Sequence, residues 1–85
     1  MPRARVAIEC LPNLGSKSAA WLRQCGIETV NDLQRIGPVN AWLAVKESQP
    51  RASLNLLWAL AAGLQNRDWR DLSEAEKSQL KAELP

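Results

Sequence analysis

Glycine and proline divide this chain into short segments, and this punctuation limits the fold more than any other sequence feature. Gly26 and Gly37 fall where helices would end, and Pro50 interrupts the chain between two apolar stretches. Glycine readily adopts the left-handed backbone of a helix C-terminus, and proline removes a backbone donor. Ala and Leu dominate the segments between these breaks, and no stretch alternates long enough for a strand. The sequence predicts an all-α fold.

Capping residues set the direction and the bounds of each predicted helix. Ser16 can cap the first helix, Thr29 with Asp32 nearly completes a capping box for the second, and Pro38 suits the first turn of the third. Ser53 and the Ser73/Glu76 pair mark the last two helix starts. The predicted helices cover residues 17–25, 30–36, 38–47 and 54–65, and a last segment that follows Ser73. The whole is a compact bundle of about five short helices.

The fourth helix is expected to be the central and most buried one. Its apolar residues form one stripe and extend to a second side, which a surface helix would not need. The stripe contains Leu54, Leu57, Trp58, Ala61 and Leu64, and the second side carries Leu56 and Leu60. In the last helix the apolar face is narrower, with Ala75, Leu80 and Leu84.

Four tryptophans supply all the aromatic side chains, because the chain has neither Phe nor Tyr. Trp42 and Trp58 lie on apolar helix faces and are expected in the core. Trp21 and Trp69 have two interpretations. They either complete the core, or they are exposed and stack on a base or anchor a protein partner.

Composition excludes several classes of function. Without His, Cys10 and Cys25 lack the usual companions of a metal site, and no cofactor motif is present. Without His and Tyr, no catalytic constellation is recognisable, so we expect a non-enzymatic protein with no small-molecule substrate. Cys25 is expected to be a small core residue. No apolar run is long enough for a signal sequence or a membrane span, which predicts a cytoplasmic protein with no membrane contact.

The net charge of +2, from 11 basic and 9 acidic residues, is small for a protein held on DNA mainly by counterion release. Arg23, Arg35, Lys46 and Arg51 would form a basic surface only if the fold brought them together. A scattered, solvated set is the expected arrangement.

A short pattern occurs twice. An apolar residue, a Gly, three variable residues and an Ala recur 22 residues apart, at Leu14 to Ala19 and at Ile36 to Ala41, each followed by a Trp-Leu pair. The pattern describes a tight turn into a helix whose small Ala lets a neighbouring helix approach. Duplication of a helical hairpin and chance repetition are both open interpretations.

An ordered set of motifs resembles a known family. The motifs are LPNLGSKSAAWL, GIETVNDLQRIG, SLNLLWAL and DWRDLS, in that order. Together they resemble the C-terminal domain of the TfoX/Sxy regulators of bacterial competence. The resemblance implies a bundle related to helix-hairpin-helix or SAM-like folds, with residues 1–10 as an N-terminal segment and 11–85 as the domain. Full-length members carry a further N-terminal domain, so a stand-alone relative and a fragment of a two-domain regulator are both expected forms.

The Leu14-Gly15-Ser16-Lys17 segment also resembles the turn of DNA-binding helix-hairpin-helix motifs. In such turns Gly15 would let the backbone approach a phosphate, the N–H groups near Ser16 would point toward it, and Lys17 would add charge. Those motifs usually carry Gly where this chain has Asn13, which can adopt a left-handed backbone but crowds the site. The alternative is structural: Gly15 turns the chain, Ser16 caps the helix and Lys17 is solvated.

Two function hypotheses follow. The leading one is an interaction module of the TfoX C-terminal type, which acts in transcriptional control of competence genes by docking onto a protein partner or a second copy. The alternative is a direct nucleic-acid backbone binder that uses Gly15, Ser16 and Lys17. A contiguous basic patch around that turn would distinguish the second from the first.

Overall fold

The structure, a computed structural model, describes residues 6–85. Within that range the chain forms α-helices and two single 3₁₀ turns, Ile8–Cys10 and Trp69–Asp71, which confirms the all-α prediction. The five α-helices are α1 Ser16–Gln24, α2 Val30–Ile36, α3 Pro38–Ser48, α4 Leu54–Leu64 and α5 Glu74–Ala82. None of the helices in this range is both long and apolar enough to cross a bilayer.

The helix starts follow local capping chemistry, with one correction. Thr29 with Asp32 and Ser73 with Glu76 form complete capping boxes, as their spacing predicts. Ser16, however, is the first residue of α1 and not its cap. The N-cap is Gly15, because the chain is still extended there (φ −87°, ψ 171°) and turns helical one residue later. Consequently no side chain caps α1.

Helix α4 is the centre of the molecule, as predicted. Every residue from Leu56 to Gly63 is buried, and Leu57 and Leu60 have no exposed surface. Leu54 and Leu64, at its two ends, are only partly buried. Helix α3 and the Trp69–Asp71 turn pack against α4. The central helix is therefore buried from Leu56 to Gly63, whereas Asn55 in its first turn is exposed.

The chain before α1 is tied to the core and passes close to α4. The Ile8 N–H donates to the Glu28 carbonyl at 3.0 Å, the Val30 N–H donates to the Val6 carbonyl at 2.9 Å, and Ile8 is fully buried. A Cβ on Gly63 would lie 2.8 Å from the Pro12 carbonyl oxygen. Only glycine lets α4 approach the Leu11–Pro12 backbone this closely. The segment set apart as residues 1–10 thus supplies core contacts through Ile8, while residues 1–5 lie outside the described range.

Polar side chains hold the α3–α4 connection. The Trp42 indole N–H donates to the Ser53 carbonyl at 2.9 Å, which supplies the partner that a buried indole requires. The Lys46 ammonium donates to the Pro50 and Ala52 carbonyls at 2.7 and 2.8 Å. Backbone groups in this loop are thereby satisfied without regular structure.

The repeated pattern describes two helix starts with the same local roles. Gly15 and Gly37 are both N-caps, and their carbonyls accept the N–H groups of Ala19 and Ala41 at 3.0 Å. Ala19 and Ala41 are both buried. The backbones of the two glycines differ, because Gly37 ends α2 with φ 91° whereas Gly15 is extended with φ −87°. The two copies of the pattern are therefore similar in structure only at the N-cap glycine and at the buried alanine of each helix.

Helix α5 is held more by polar contacts than by burial. No residue of α5 is buried. Leu80 and Leu84 are partly buried, whereas Ala75, which the sequence places on the same apolar face, is exposed. The Arg67 guanidinium pairs with Glu76 at 2.7 Å and also donates to the Asp71 carbonyl. The Lys77 ammonium lies 5.9 Å from the centre of the Trp58 ring.

The Arg67–Glu76 pair makes the attachment of α5 sensitive to pH. Hydrogen bonds from Arg67 and from the Ser73 backbone lower the pKa of Glu76 from 4.5 to about 2. A carboxyl with a depressed folded-state pKa adds stability that is complete above its unfolded-state pKa and is lost as pH falls toward the folded value. We expect the free energy of unfolding to decline between about pH 4.5 and 2, partly through this group.

The variant Glu76→Gln keeps an oxygen that can accept the Ser73 N–H but removes the charge. It should be less stable than the parent at pH 7 and should show a shallower loss of stability below pH 4.5. Urea denaturation at a series of pH values measures both effects. Glu83→Gln, at an exposed position of the same segment, is the control, and equal pH profiles for Glu76→Gln and the parent would contradict the assignment.

Candidate functional site

The turn before α1 contains a residue with a left-handed backbone, at the position where helix-hairpin-helix motifs usually carry Gly. Asn13 has φ 73°, so asparagine does adopt the conformation for which glycine is usual at this position. Gly15 has an extended backbone, and nothing lies within 4 Å of the place where its Cβ would be. The special conformation of this turn thus belongs to Asn13, whereas Gly15 contributes only open space.

The first turn of α1 presents backbone donors. The Ala19 N–H is the first to bond back, to the Gly15 carbonyl, so the N–H groups of Ser16, Lys17 and Ser18 precede the helical ladder. Since Gly15 has no side chain, it offers them no capping oxygen. Unpaired N–H groups at a helix start favour an anionic neighbour.

Lys17 is directed along α1. Its ammonium lies 5.5 Å from the centre of the Trp21 ring, one turn further along the helix. This distance is within the range of a cation–π interaction. The structure therefore associates Lys17 with Trp21 as well as with the turn that precedes the helix.

Asn13 joins this turn to the distant Trp69–Asp71 turn. Its side-chain amide donates to the Arg67 carbonyl at 2.8 Å, and its side-chain oxygen accepts the Trp69 N–H at 3.3 Å. A residue whose side chain bonds two backbone groups of another segment fixes the relative position of the two segments. Asn13 thus places Trp69 beside the start of α1.

As a result, Trp21 and Trp69 line one surface groove of about 310 Å³, here called the Trp21–Trp69 groove. Both side chains are partly buried against the core, whereas Trp42 and Trp58 are 7% and 6% exposed and belong to it, as predicted. Apolar surface is supplied by Ala52, Leu56 and Ala59. The polar lining residues are Asn13, Ser18, Arg51, Ser53 and Asn55.

The groove is free of negative charge among the described residues that line it, and Arg51 is its one charged side chain. Asp68 adjoins Trp69 in sequence, but its carboxylate pairs with Arg70 at 3.1 Å. That hydrogen bond from Arg70 is the main cause of the lowered pKa of Asp68. The groove therefore has a positive electrostatic bias.

The basic residues that the sequence singled out do not form one patch. Arg23 pairs with Glu9, and Arg35 pairs with Asp32 at 3.0 Å. Lys46 is occupied by loop carbonyls. Of this set, only Arg51 reaches the groove. The other three are engaged by carboxylates or by loop carbonyls.

A second groove, of about 300 Å³, lies along α5 and is mainly apolar, with Pro38, Ala61, Leu72 and Leu80 among its lining residues. Of the two cysteines, Cys10 is exposed and Cys25 is partly buried at the end of α1, and they are not bonded to each other. No group of three metal-ligating side chains occurs within residues 6–85. Two carboxylates, Glu76 and Glu83, also line the α5 groove, and Glu76 is paired with Arg67.

Sequence reasoning identified the turn but missed the groove. The ambiguous status of Trp21 and Trp69 was the signal available in the sequence. Their proximity depends on the hydrogen bonds of Asn13, which join residues 54 and 56 positions apart. Local periodicity carries no information about contacts at that separation.

The role of Asn13 can be measured at the Trp69 amide. In Asn13→Gly the left-handed backbone is retained and both side-chain hydrogen bonds are lost. One such bond contributes about 1 kcal/mol, so the Trp69 N–H should exchange with solvent roughly fivefold faster. The Asp71 N–H, which bonds to the Asp68 carbonyl at 2.9 Å, is the internal reference. Unchanged protection of Trp69 relative to Asp71 would show that Asn13 does not hold this segment.

Comparison with known proteins agrees with this architecture. The family model of the TfoX C-terminal domain matches residues 4–84. The chain is 40% identical over 74 residues to the DNA transformation protein TfoX of Haemophilus influenzae, a match that covers 87% of this chain and 34% of that protein. The chain thus spans about a third of the length of this curated relative.

Two crystal structures of Listeria monocytogenes proteins of unknown function share the fold. A triclinic form superposes with a TM-score of 0.84 at 32% identity and covers 89% of this chain and 86% of that one. A tetragonal form gives a TM-score of 0.83 at 32% identity and covers 88% and 93%. Because the family model matches residues 4–84 of the 85 in this chain, the chain belongs to the TfoX C-terminal domain family.

Proposed function

We propose that this chain is a non-enzymatic interaction module that acts in the control of DNA transformation by docking onto a protein partner or a second copy of itself. The regulatory context follows from the family and from the relative named for DNA transformation. The mode of action is proposed from the surface of this chain.

The observation that carries the proposal is the Trp21–Trp69 groove. Two of the four tryptophans line one surface depression, while the other two fill the core. Tryptophan is enriched among the residues that dominate protein interfaces, since it buries a large area at little cost in conformational entropy. A groove with two such walls suits a protein contact.

The titratable groups support a non-enzymatic role. The pKa values of Glu9, Asp68 and Glu76 are lowered mainly by hydrogen bonds from arginines, and the pKa of Asp32 is lowered mainly by the hydrogen bond from the Glu28 backbone N–H. A lowered pKa means that the neighbouring groups stabilise the charged carboxylate, which is typical of structural ion pairs. A catalytic acid would need a pKa moved toward neutrality.

A complementation experiment in the host tests the function. Deletion of the gene should lower the number of transformants, and a plasmid copy should restore it. Asn55→Lys places a long side chain in the groove from an exposed position of α4. It should fail to restore transformation although the protein remains folded by circular dichroism.

Ser78→Lys, a similar change at an exposed position of α5 that lines neither groove, is the matched control and should complement fully. The proposal is wrong if deletion leaves transformation unchanged or if Asn55→Lys complements as well as the parent. Sedimentation velocity distinguishes the two docking modes, because a dimer that Asn55→Lys disrupts identifies the second copy as the partner.

A direct nucleic-acid contact is the second candidate, favoured by the left-handed Asn13 and the uncapped N–H groups at Ser16 and Lys17. In this mode a phosphate would sit at the start of α1. Within residues 6–85, the position of Lys17 against Trp21 and the ion pair of Arg23 leave few free cations around the turn. Because free cations are few, a nucleic-acid contact explains this surface less well than protein docking does.

DNA binding at two salt concentrations tests this candidate, with duplex and single-stranded oligonucleotides. Gly15→Ala fits the fold, because its Cβ would meet nothing within 4 Å, but it crowds an approaching phosphate. If the candidate is correct, binding is salt-sensitive and both Gly15→Ala and Lys17→Ala weaken it, while Lys81→Ala has no effect. Lack of binding at low salt would exclude it.

A further inference from the structure

We infer that the Trp21–Trp69 groove accepts an acidic peptide segment that places one large apolar side chain between the two tryptophans. This inference rests on the proposed protein-docking function and specifies the chemistry of the partner at that site. Three properties of the groove support this inference, namely its shape, its charge and the small number of its cations.

The shape favours one apolar anchor. Trp21 and Trp69 line the groove together with the nearly fully buried Leu56 and Ala59 of α4. The volume of about 310 Å³ is that of a small depression and not of an extended channel. An aliphatic or aromatic side chain would lose its hydration there and gain contact with both indoles. The surrounding Ser18, Ser53 and Asn55 offer hydrogen-bonding groups to the backbone of such a segment.

The charge favours an acidic partner. Arg51 is exposed in the groove and has no carboxylate partner within residues 6–85, in contrast to Arg23, Arg35, Arg67 and Arg70. The first turns of α1 and α4 both contribute lining residues, and neither N-cap makes a side-chain hydrogen bond. Their partial positive charges add to that of Arg51. A carboxylate beside the apolar anchor would therefore gain a charge-assisted hydrogen bond.

The number of cations favours a peptide over a nucleic acid. Arg51 lines the groove, and Lys17 adjoins it through Trp21. Lys46, near the same loop, is engaged by the Pro50 and Ala52 carbonyls. Binding of a nucleic-acid strand depends on neutralising a series of phosphates. One or two carboxylates on a short peptide match the cations that are present.

NMR titration of the ¹⁵N-labelled full chain tests the inference. The probe is the blocked peptide Ac-EDLFDE-NH₂, which combines acidic residues with an apolar centre. Binding should shift the indole N–H signals of Trp21 and Trp69 and the amide signals of Ser53 and Asn55. The indole signals of Trp42 and Trp58, which lie in the core, should move less.

Variants and matched peptides give the specificity. Arg51→Glu should weaken binding roughly tenfold or more, because it replaces attraction by repulsion. Lys81→Glu makes the same change at an exposed position outside the groove and should leave the affinity unchanged. Ac-EDSGDE-NH₂, without the anchor, and Ac-KRLFRK-NH₂, with reversed charge, should both bind more weakly than the probe.

The inference is overturned if the acidic peptide causes no shifts, if its shifts map to the α5 groove, or if the basic peptide or a hexamer of dT binds more tightly. Failure of the peptide with continued failure of Asn55→Lys to support transformation would remove the acidic-peptide inference and leave the docking function standing. Full complementation by Asn55→Lys would instead remove the docking function itself.

Discussion

Burial of the Leu56–Gly63 stretch of α4 is the constraint on which the rest of the structure depends. A chain of 85 residues has enough material to cover one helix on all sides and little more. The apolar residues from Leu56 to Gly63 require that cover, and α3, the Trp69–Asp71 turn and the chain before α1 supply it. Gly63 sets how closely the last of these can approach. Helix α5 is the least buried of the five helices, because none of its residues is fully buried.

Loops in this small protein are positioned by side chains that bond to backbone groups. Trp42 and Lys46 hold the α3–α4 connection through the Ser53, Pro50 and Ala52 carbonyls. Asn13 and Arg67 do the same for the segment after α4. Such bonds satisfy backbone groups that lie outside helices. They also determine which side chains meet at the surface, so the packing of the core and the composition of the Trp21–Trp69 groove have a common origin.

The four tryptophans divide into two structural roles with different consequences. Trp42 and Trp58 are core residues that also carry a lysine near the ring, which links α3 to its following loop and α5 to α4. Trp21 and Trp69 support the core with part of their surface and leave the rest to the groove. In a chain without Phe or Tyr, this second use of tryptophan concentrates the aromatic surface available to a partner in one place. The shared fold of the Listeria proteins shows that the same scaffold recurs at 32% identity.

The sequence by itself determined the helical class, the bounds of α2, the two capping boxes and the central position of α4, because these depend on residues within one or two turns of each other. It misplaced the cap of α1 and put the exposed Ala75 on the apolar face of α5, since the exact residue where a helix begins and the side that it buries depend on neighbouring segments. Only the tertiary structure decided that Trp69 lies beside α1 and that Arg51, and not the other basic residues, faces the groove. These relations arise from side-chain contacts between residues distant in sequence, and the pattern of apolar and polar residues along a chain does not encode them.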